Sequence, residues 1–465
     1  MKRRRARSST AAALAGLTFA GSIIFSLTAI APSAQAAEGD ITEFVVPTTG
    51  SVPDGITAAP DGNLWFAERL GNKIGRVTPT GLFTEFPVPT ANSEPLALVV
   101  GPDGNLWFTE FKGNKIGRIT LSGAISEFAI PTIDARPHGI TVGPDGNLWF
   151  TELNADKIAR ITLTGDVAEY PIPTSKSWPS IITSGPDGNL WFGEWKGNKI
   201  GRITMSGVVT EFPTPSPGSQ PHGITVGPDG NLWFTEFGSS GMARITTAGV
   251  ITEFPIPTAN SKPAFVAAGA DGNLWFTEYN GERIGKITTS GVITEYTIPG
   301  AGGPVGRTAP SSSLGGTPVS LLFTCEIRPE WLQNPGWPSC AGPACPIGIA
   351  AGPDGNLWFT EFRGSKVGRI TDSPVSVATL APRAGPPGTV VQVSGSGFGS
   401  FEQVQLTFVD SQKGPTALGT AMTDGGGRFA AQINIPTDAT KGRQRVLIEG
   451  AISRLRAGEV FRVTS

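Results

Sequence analysis

The stretch Pro221-His222-Gly223-Ile224-Thr225-Val226-Gly227-Pro228-Asp229-Gly230-Asn231-Leu232-Trp233-Phe234-Thr235-Glu236 decides the fold. Its core, Asp-Gly-Asn-Leu-Trp-Phe, begins at Asp61, Asp103, Asp145, Asp187, Asp229, Asp271 and Asp354. The first six copies are spaced by 42 residues; the last interval is 83, one period plus 41 further residues. A period near 42 with short strands is that of four-stranded propeller blades.

Each repeat reads as four strands. In the fifth they are Pro221–Val226, Leu232–Glu236, Met242–Thr246 and Val250–Pro257. The second is nearly all apolar and lacks proline, as suits a strand covered on both faces. The fourth carries Pro255 and Pro257. Proline has no amide donor and is tolerated at a sheet edge, so this strand is outermost and the first lines the channel. Fourth strands are offset from the other three: Ile41-Thr42-Glu43-Phe44 precedes any complete repeat, and the last repeat, ending at Ile370-Thr371, lacks one. The expectation is an all-β, seven-bladed β-propeller whose N-terminal strand completes the last blade.

Three further segments flank or interrupt the ring. Residues 1–36 read as a signal peptide, with a basic head (Lys2, Arg3, Arg4, Arg5, Arg7), an apolar stretch from Ala11 to Ile30, and Ala34-Gln35-Ala36 as the cleavage site. A membrane anchor is the alternative, and the twin-arginine route stays open. Within the propeller, assigned to 37–373, an insert over 300–344 rich in Gly, Pro and Ser carries Trp331, Trp337, Cys325 and Cys340, and Cys345 follows directly after it. Lying between an outer strand and the next inner one, it belongs over the top mouth of the channel. Cys340 and Cys345 are spaced for a small disulfide loop, with Cys325 the other candidate partner. From 374 to 465 the repeat stops, and short alternating segments such as Val390-Val391-Gln392-Val393 point to a small β-sandwich that looks immunoglobulin-like or TIG-type.

Composition narrows the function. Removing the five basic residues of the head from the 36 Lys and Arg leaves 31 against 38 acidic residues, a net of −7. Such a chain without a basic stripe is a poor nucleic-acid binder. No stretch after Ala36 is apolar enough to span a membrane, so the mature chain is expected to be soluble; the leader makes it secreted, with the cell envelope as the alternative location, and a monomer is expected.

Candidate chemistry sits where the repeat varies. A glutamate closes every second strand (Glu68, Glu110, Glu152, Glu194, Glu236, Glu278, Glu361), and a base recurs in every third (Arg76, Arg118, Arg160, Arg202, Arg244, Lys286, Arg369). These read as a structural ladder of paired charges. The second residue of the inner strand changes instead: Asp54, Leu96, His138, Ser180, His222, Ala264, Ile347. It takes both histidines of the chain. Each precedes its own glutamate by 14 residues, so antiparallel pairing predicts His138 beside Glu152 and His222 beside Glu236, each pair a general base or half of a metal site. Trp178, Ser180 and Trp195 of the fourth repeat read as an aromatic platform between them. The plain alternative is that both histidines are repeat variation filling a polar channel mouth.

The segments Gly113-Asn114-Lys115-Ile116-Gly117-Arg118-Ile119-Thr120, Val250 to Thr258, Pro-His-Gly-Ile-Thr and Leu-Trp-Phe-Thr-Glu resemble repeats of the virginiamycin B lyase (streptogramin lyase) family over residues 40–371. The resemblance implies a carbon–oxygen lyase that linearises cyclic depsipeptide antibiotics. A histidine takes the proton α to the carbonyl, the ester oxygen leaves, and Mg²⁺ holds the lactone. It implies His222 or His138 as base and Glu236, Glu152 and Glu94 as metal-holding groups. Two departures stand: the histidines are not on neighbouring blades, and Arg136 and Gln220 occupy the places of the glutamate that precedes the family's catalytic histidine. The rival functions are a non-catalytic propeller binding a glycan, peptide or surface partner at its top mouth, and a hydrolytic lactonase.

Overall fold

The computed structural model describes residues 38–300, 340, 342–372, 377–396, 398, 403–423, 428–451 and 456–464. The expected signal peptide and most of the insert, with Cys325, Trp331 and Trp337, lie outside the described residues. Among those residues every regular element is a strand.

Seven four-stranded antiparallel sheets form the blades, numbered here by their second strands from Leu64–Glu68 to Leu357–Glu361. Blade 5 consists of Pro221–Val226, Leu232–Glu236, Gly241–Ile245 and Ile251–Pro255 in that order. The second strand is buried along its whole length, and the fourth alternates and ends at Pro255. Inner strands of neighbouring blades pack on one another all round, including Pro346–Ala351 of blade 7 on Pro53–Ala58 of blade 1. The strand Ile41–Val45 is the outer strand of blade 7, with Ile41 opposite Ile370 and Val45 opposite Lys366. The ring is closed as expected.

The hexamer explains the blade. Gly230 takes φ 75° in the turn. The Asp229 carboxylate accepts the Asn231 amide at 3.2 Å and the Trp233 indole N–H at 3.0 Å. The Trp233 ring is fully buried and stacks on Phe254 with centroids 5.3 Å apart. Truncating such a side chain to alanine costs ~3–5 kcal/mol. Arg244 lies over the same indole at 5.5 Å and reaches Asp229 at 3.4 Å. This overturns the expected glutamate–base ladder. Register puts Arg244 opposite Trp233 and Glu236 opposite Gly241, so the two charges sit at different heights of the blade.

A second set of contacts ties blade to blade. Glu169 of blade 3 accepts both the amide and hydroxyl of Thr132, in the loop leaving blade 2, at 3.0 and 2.8 Å, and pairs with Lys157 at 2.6 Å. Glu85, Glu127 and Glu211 repeat the arrangement with Thr48, Thr90 and Thr174, and Glu253 repeats the two bonds from Ser216.

After the ring, a three-stranded sheet (Val377–Ala381, Val390–Ser396, Phe429–Asn434) and a five-stranded one (Ala384–Gly385, Arg456–Val463, Gly442–Gly450, Gln403–Asp410, Gly414–Met422) form a sandwich. Its own core includes Val393, Phe408, Ile433, Val446 and Phe461.

Candidate functional site

Every inner strand opens with a β-bulge. In blade 3 Pro137 faces Glu152, and the register slips before Ile140; in blade 5 Pro221 faces Glu236, and it slips before Ile224. A bulge re-aims the side chain it carries. Here it turns the second residue of each inner strand toward the axis. The seven that result (Asp54, Leu96, His138, Ser180, His222, Ala264, Ile347) are all buried, at 3% exposure or less. They plug the mouth instead of lining an open rim.

The two imidazoles meet. Their centroids are 5.6 Å apart and the rings nearly perpendicular. One blade lies between them, and it presents only Ser180, whose hydroxyl bonds to the His222 carbonyl at 3.1 Å. His222 Nδ1 donates to the Ala264 carbonyl at 2.9 Å. His138 is hydrogen-bonded to the Ser180 backbone, while its Nδ1 is buried without a partner. Burial holds both rings neutral: it pushes His138 well below the usual imidazole range, helped by His222 and Arg69, and brings His222 down to about 4 against the bond to Ala264.

The glutamates go elsewhere. Glu152 shares its surroundings with Glu169 and Lys157, and Glu236 with Glu253 and Ser239. Burial is the larger cause, and the second carboxylate adds to it, in raising each to about 8. So the structure brings the histidines to each other, rather than each to its own glutamate. The antiparallel argument placed the backbones correctly; the bulge redirected the side chains.

Two varied positions surround the plug. The residue before each inner-strand proline adopts φ between 52° and 53°: Val52, Glu94, Arg136, Trp178, Gln220, Lys262 and Cys345. Left-handed backbone on such side chains is rare and concentrates at functional sites. Its carbonyl accepts the amide of the residue that follows the second-strand glutamate, as Glu94 does from Phe111 and Trp178 from Trp195. That second position reads Arg69, Phe111, Leu153, Trp195, Phe237, Tyr279 and Phe362. Sequence reasoning found Trp178, Trp195 and Glu94 but missed the rest. The signal was there: an invariant glutamate followed by a residue that differs in most repeats.

These positions divide the mouth. Over blades 4 to 7 the rings of Trp195, Phe237, Tyr279 and Phe362 follow one another at 4.7, 6.1 and 6.1 Å. Trp195 and Phe265 flank His222 at 5.2 and 5.1 Å. Lys196 lies 3.3 Å over Trp178. The Cys340–Cys345 disulfide completes this wall, packed with Tyr279 and Ile347. On the opposite arc Glu94 is held by Arg69 at 3.0 Å and by Lys112 at 2.6 Å. Arg69 and Arg136 approach the Phe111 ring at 5.3 and 5.6 Å. Burial pushes Asp54 up to about 7, with Arg69 opposing and Glu94 adding to the rise.

Magnesium, which the family resemblance implies, wants several oxygen ligands at one point. Glu94, Glu152 and Glu236 do not supply them. Their carboxylates do not converge, and both Glu94 oxygens are taken by cations. The three residues do not fit that ion.

Comparison with known proteins agrees with the ring. Residues 39–311 match the virginiamycin B lyase family. Virginiamycin B lyase from Staphylococcus aureus is 39% identical, with TM-score 0.60 over 71% of this chain and 99% of that one. A streptogramin B lyase is 36% identical, with TM-score 0.60 over 71% and 97%. A catalytically inactive virginiamycin B lyase from Staphylococcus aureus, solved with quinupristin, is 38% identical, with TM-score 0.59 over 71% and 99%. Hydrazine synthase from Kuenenia stuttgartiensis, at 18% identity and TM-score 0.51, shares the fold. Repeat, closed ring and matches together place this chain in the virginiamycin B lyase family.

Proposed function

We propose that this chain is an exported, monomeric carbon–oxygen lyase that opens cyclic depsipeptide lactones of the streptogramin B type at the mouth of its ring. The observation that carries the reading is the His138–His222 pair, with a bare ring nitrogen on His138 beside an aromatic arc. His138 Nδ1 takes the proton from a carbon α to a carbonyl. The electron pair becomes a carbon–carbon double bond, the neighbouring carbon–oxygen bond breaks, and a carboxylate leaves. The arc from Trp195 to Phe362 receives apolar side chains of the ligand, and Trp178 and Ser180 border the base. No step is routed through a metal.

A second reading, a non-catalytic binder of a peptide or glycan, is favoured by Glu94, which two cations already neutralise. Mass spectrometry of a streptogramin B lactone incubated with the chain separates the readings. Elimination leaves the mass unchanged and adds a conjugated alkene. Hydrolysis adds one water and replaces the proposal with a lactonase. An unchanged ligand that still binds leaves the binder.

A further inference from the structure

Six of the seven third strands begin with a base: Lys73, Lys115, Lys157, Lys199, Arg283 and Lys366. It is the cation of a repeated cluster. Lys115 Nζ lies 2.6 Å from Thr90 Oγ1 and 2.7 Å from Glu127. In blade 7 Lys366 reaches Glu43 at 3.1 Å and Glu361 at 3.9 Å, so the fourth-strand and second-strand carboxylates share one ammonium. Blade 5 begins its third strand with Gly241 instead. The rest of the cluster is kept. Ser216 donates its amide and hydroxyl to Glu253 at 2.9 and 2.8 Å. Glu236 lies against Glu253 and accepts the Ser239 hydroxyl on Oε2 at 3.0 Å. It is 2% exposed, and its Oε1 is buried without a hydrogen-bond partner. Among the described residues no base pairs with either carboxylate.

We propose that blade 5 binds one calcium ion in the place of the missing ammonium, between Glu236 and Glu253. Glu253 Oε2 and Ser216 Oγ correspond to the two atoms that hold the lysine in the other blades, and Glu236 and Ser239 Oγ add further oxygens. All are hard donors. Calcium takes about six to eight oxygens in flexible geometry, with water making up the number, whereas magnesium demands an octahedron and gives up water reluctantly. Charge favours the ion too. A buried carboxylate pair without a counter-charge keeps a proton, and calcium displaces it and neutralises both groups. The gap is open to it: a Cβ at Gly241 would meet Glu236 Oε2 at 2.9 Å, the Phe254 carbonyl at 3.6 Å and Ser239 Oγ at 3.7 Å. Ser239 is exposed, which gives the ion a route from solvent. Glu253 and Ser216 belong to the tie between blades 4 and 5, not to the channel mouth, so the binding stands whether or not the mouth is catalytic.

The chelator-stripped full chain is melted in CaCl₂, in MgCl₂ and in NaCl of matched ionic strength. The expected result is a saturable rise of the midpoint with calcium, by mass action on the folded state, and no comparable rise with the other two salts. Gly241→Lys restores the repeat's own cation; it is expected to melt above the calcium-free unmodified chain and to lose the calcium response. Glu253→Gln removes the charged ligand without placing a side chain at position 241, and it too is expected to lose the response, so the test survives a lysine that does not fit. His138→Ala, at the mouth, is expected to keep it. An unmodified chain that calcium does not stabilise, or that the other salts stabilise equally, overturns the proposal. So does a calcium response that persists in Glu253→Gln or in a folded Gly241→Lys, or one that is lost in His138→Ala.

Discussion

The Ser180 hydroxyl shares its one proton between the His222 carbonyl at 3.1 Å and the Gly193 and Pro221 carbonyls at 3.2 Å, and Ser180 and Gly193 have exchanged a task that threonine performs in five other blades. Thr109, Thr151, Thr235, Thr277 and Thr360 each reach from a second strand to the next blade's inner strand, as Thr109 does to the His138 carbonyl at 2.9 Å. Blade 4 has glycine there, and Ser180 bonds the His222 carbonyl instead. A Cβ at position 193 would lie 2.6 Å from Ser180 Oγ and 2.7 Å from the Pro221 carbonyl. Gly193→Thr is therefore expected to destabilise by ~1–3 kcal/mol. Adding Ser180→Ala should recover part of the loss, because it removes the contact with Ser180 Oγ and restores the repeat's own bond while leaving the approach to the Pro221 carbonyl in place. Urea midpoints of the two single variants and the double read this out, and additive losses would refute it.

Lyase activity should depend on both histidines. His138→Ala and His222→Ala are each expected to lower kcat by ~10²–10⁴-fold, the usual contribution of a general base and its neighbour. With His222 down at about 4 and His138 below its usual range, the rate should be level from about pH 6 to 8. A base with an ordinary imidazole value would show a rise in that window.

The blade ties should be individually costly. Glu127 accepts two bonds from Thr90 and pairs with Lys115 at 2.7 Å. Glu127→Ala is expected to cost ~1–3 kcal/mol by leaving these donors unmatched, and Thr90→Ala less, since its amide remains. Guanidinium unfolding curves give both numbers.

Stability should fall from acid toward alkaline pH. Burial raises six of the seven second-strand glutamates from 4.5 to about 8, and the other, Glu278, to about 9. Below 4.5 folded and unfolded chains both hold these protons. Between 4.5 and about 8 only the folded chain does, so rising pH removes stability until the folded groups have titrated. The melting midpoint is expected to drop between about pH 5 and 8, and Glu152→Gln to make the drop shallower.

The ring was legible in the sequence because its physics is repeated. The 42-residue period, the prolines of the outer strands and the displaced strand at Ile41 each carry one geometric meaning. The mouth was legible only in part. Counting back along antiparallel strands put His138 level with Glu152, but one extra residue at the bulge turned the imidazole toward the axis. The role of Arg76 was misread because its partner, Asp61 at 3.8 Å, lies in a turn that looked like punctuation. The meeting of His138 with His222 across a whole blade depends on Ser180 being small, which spacing alone does not announce.

The pairing of Ile41 with Ile370 sets a timetable for synthesis. The strand made first has no partner until the rest of the ring has been assembled. Until then the nascent chain carries an unsatisfied sheet edge at each end of a growing arc, the condition that invites misjoining with a neighbouring chain. Its yield should accordingly depend on how crowded the unfinished copies are.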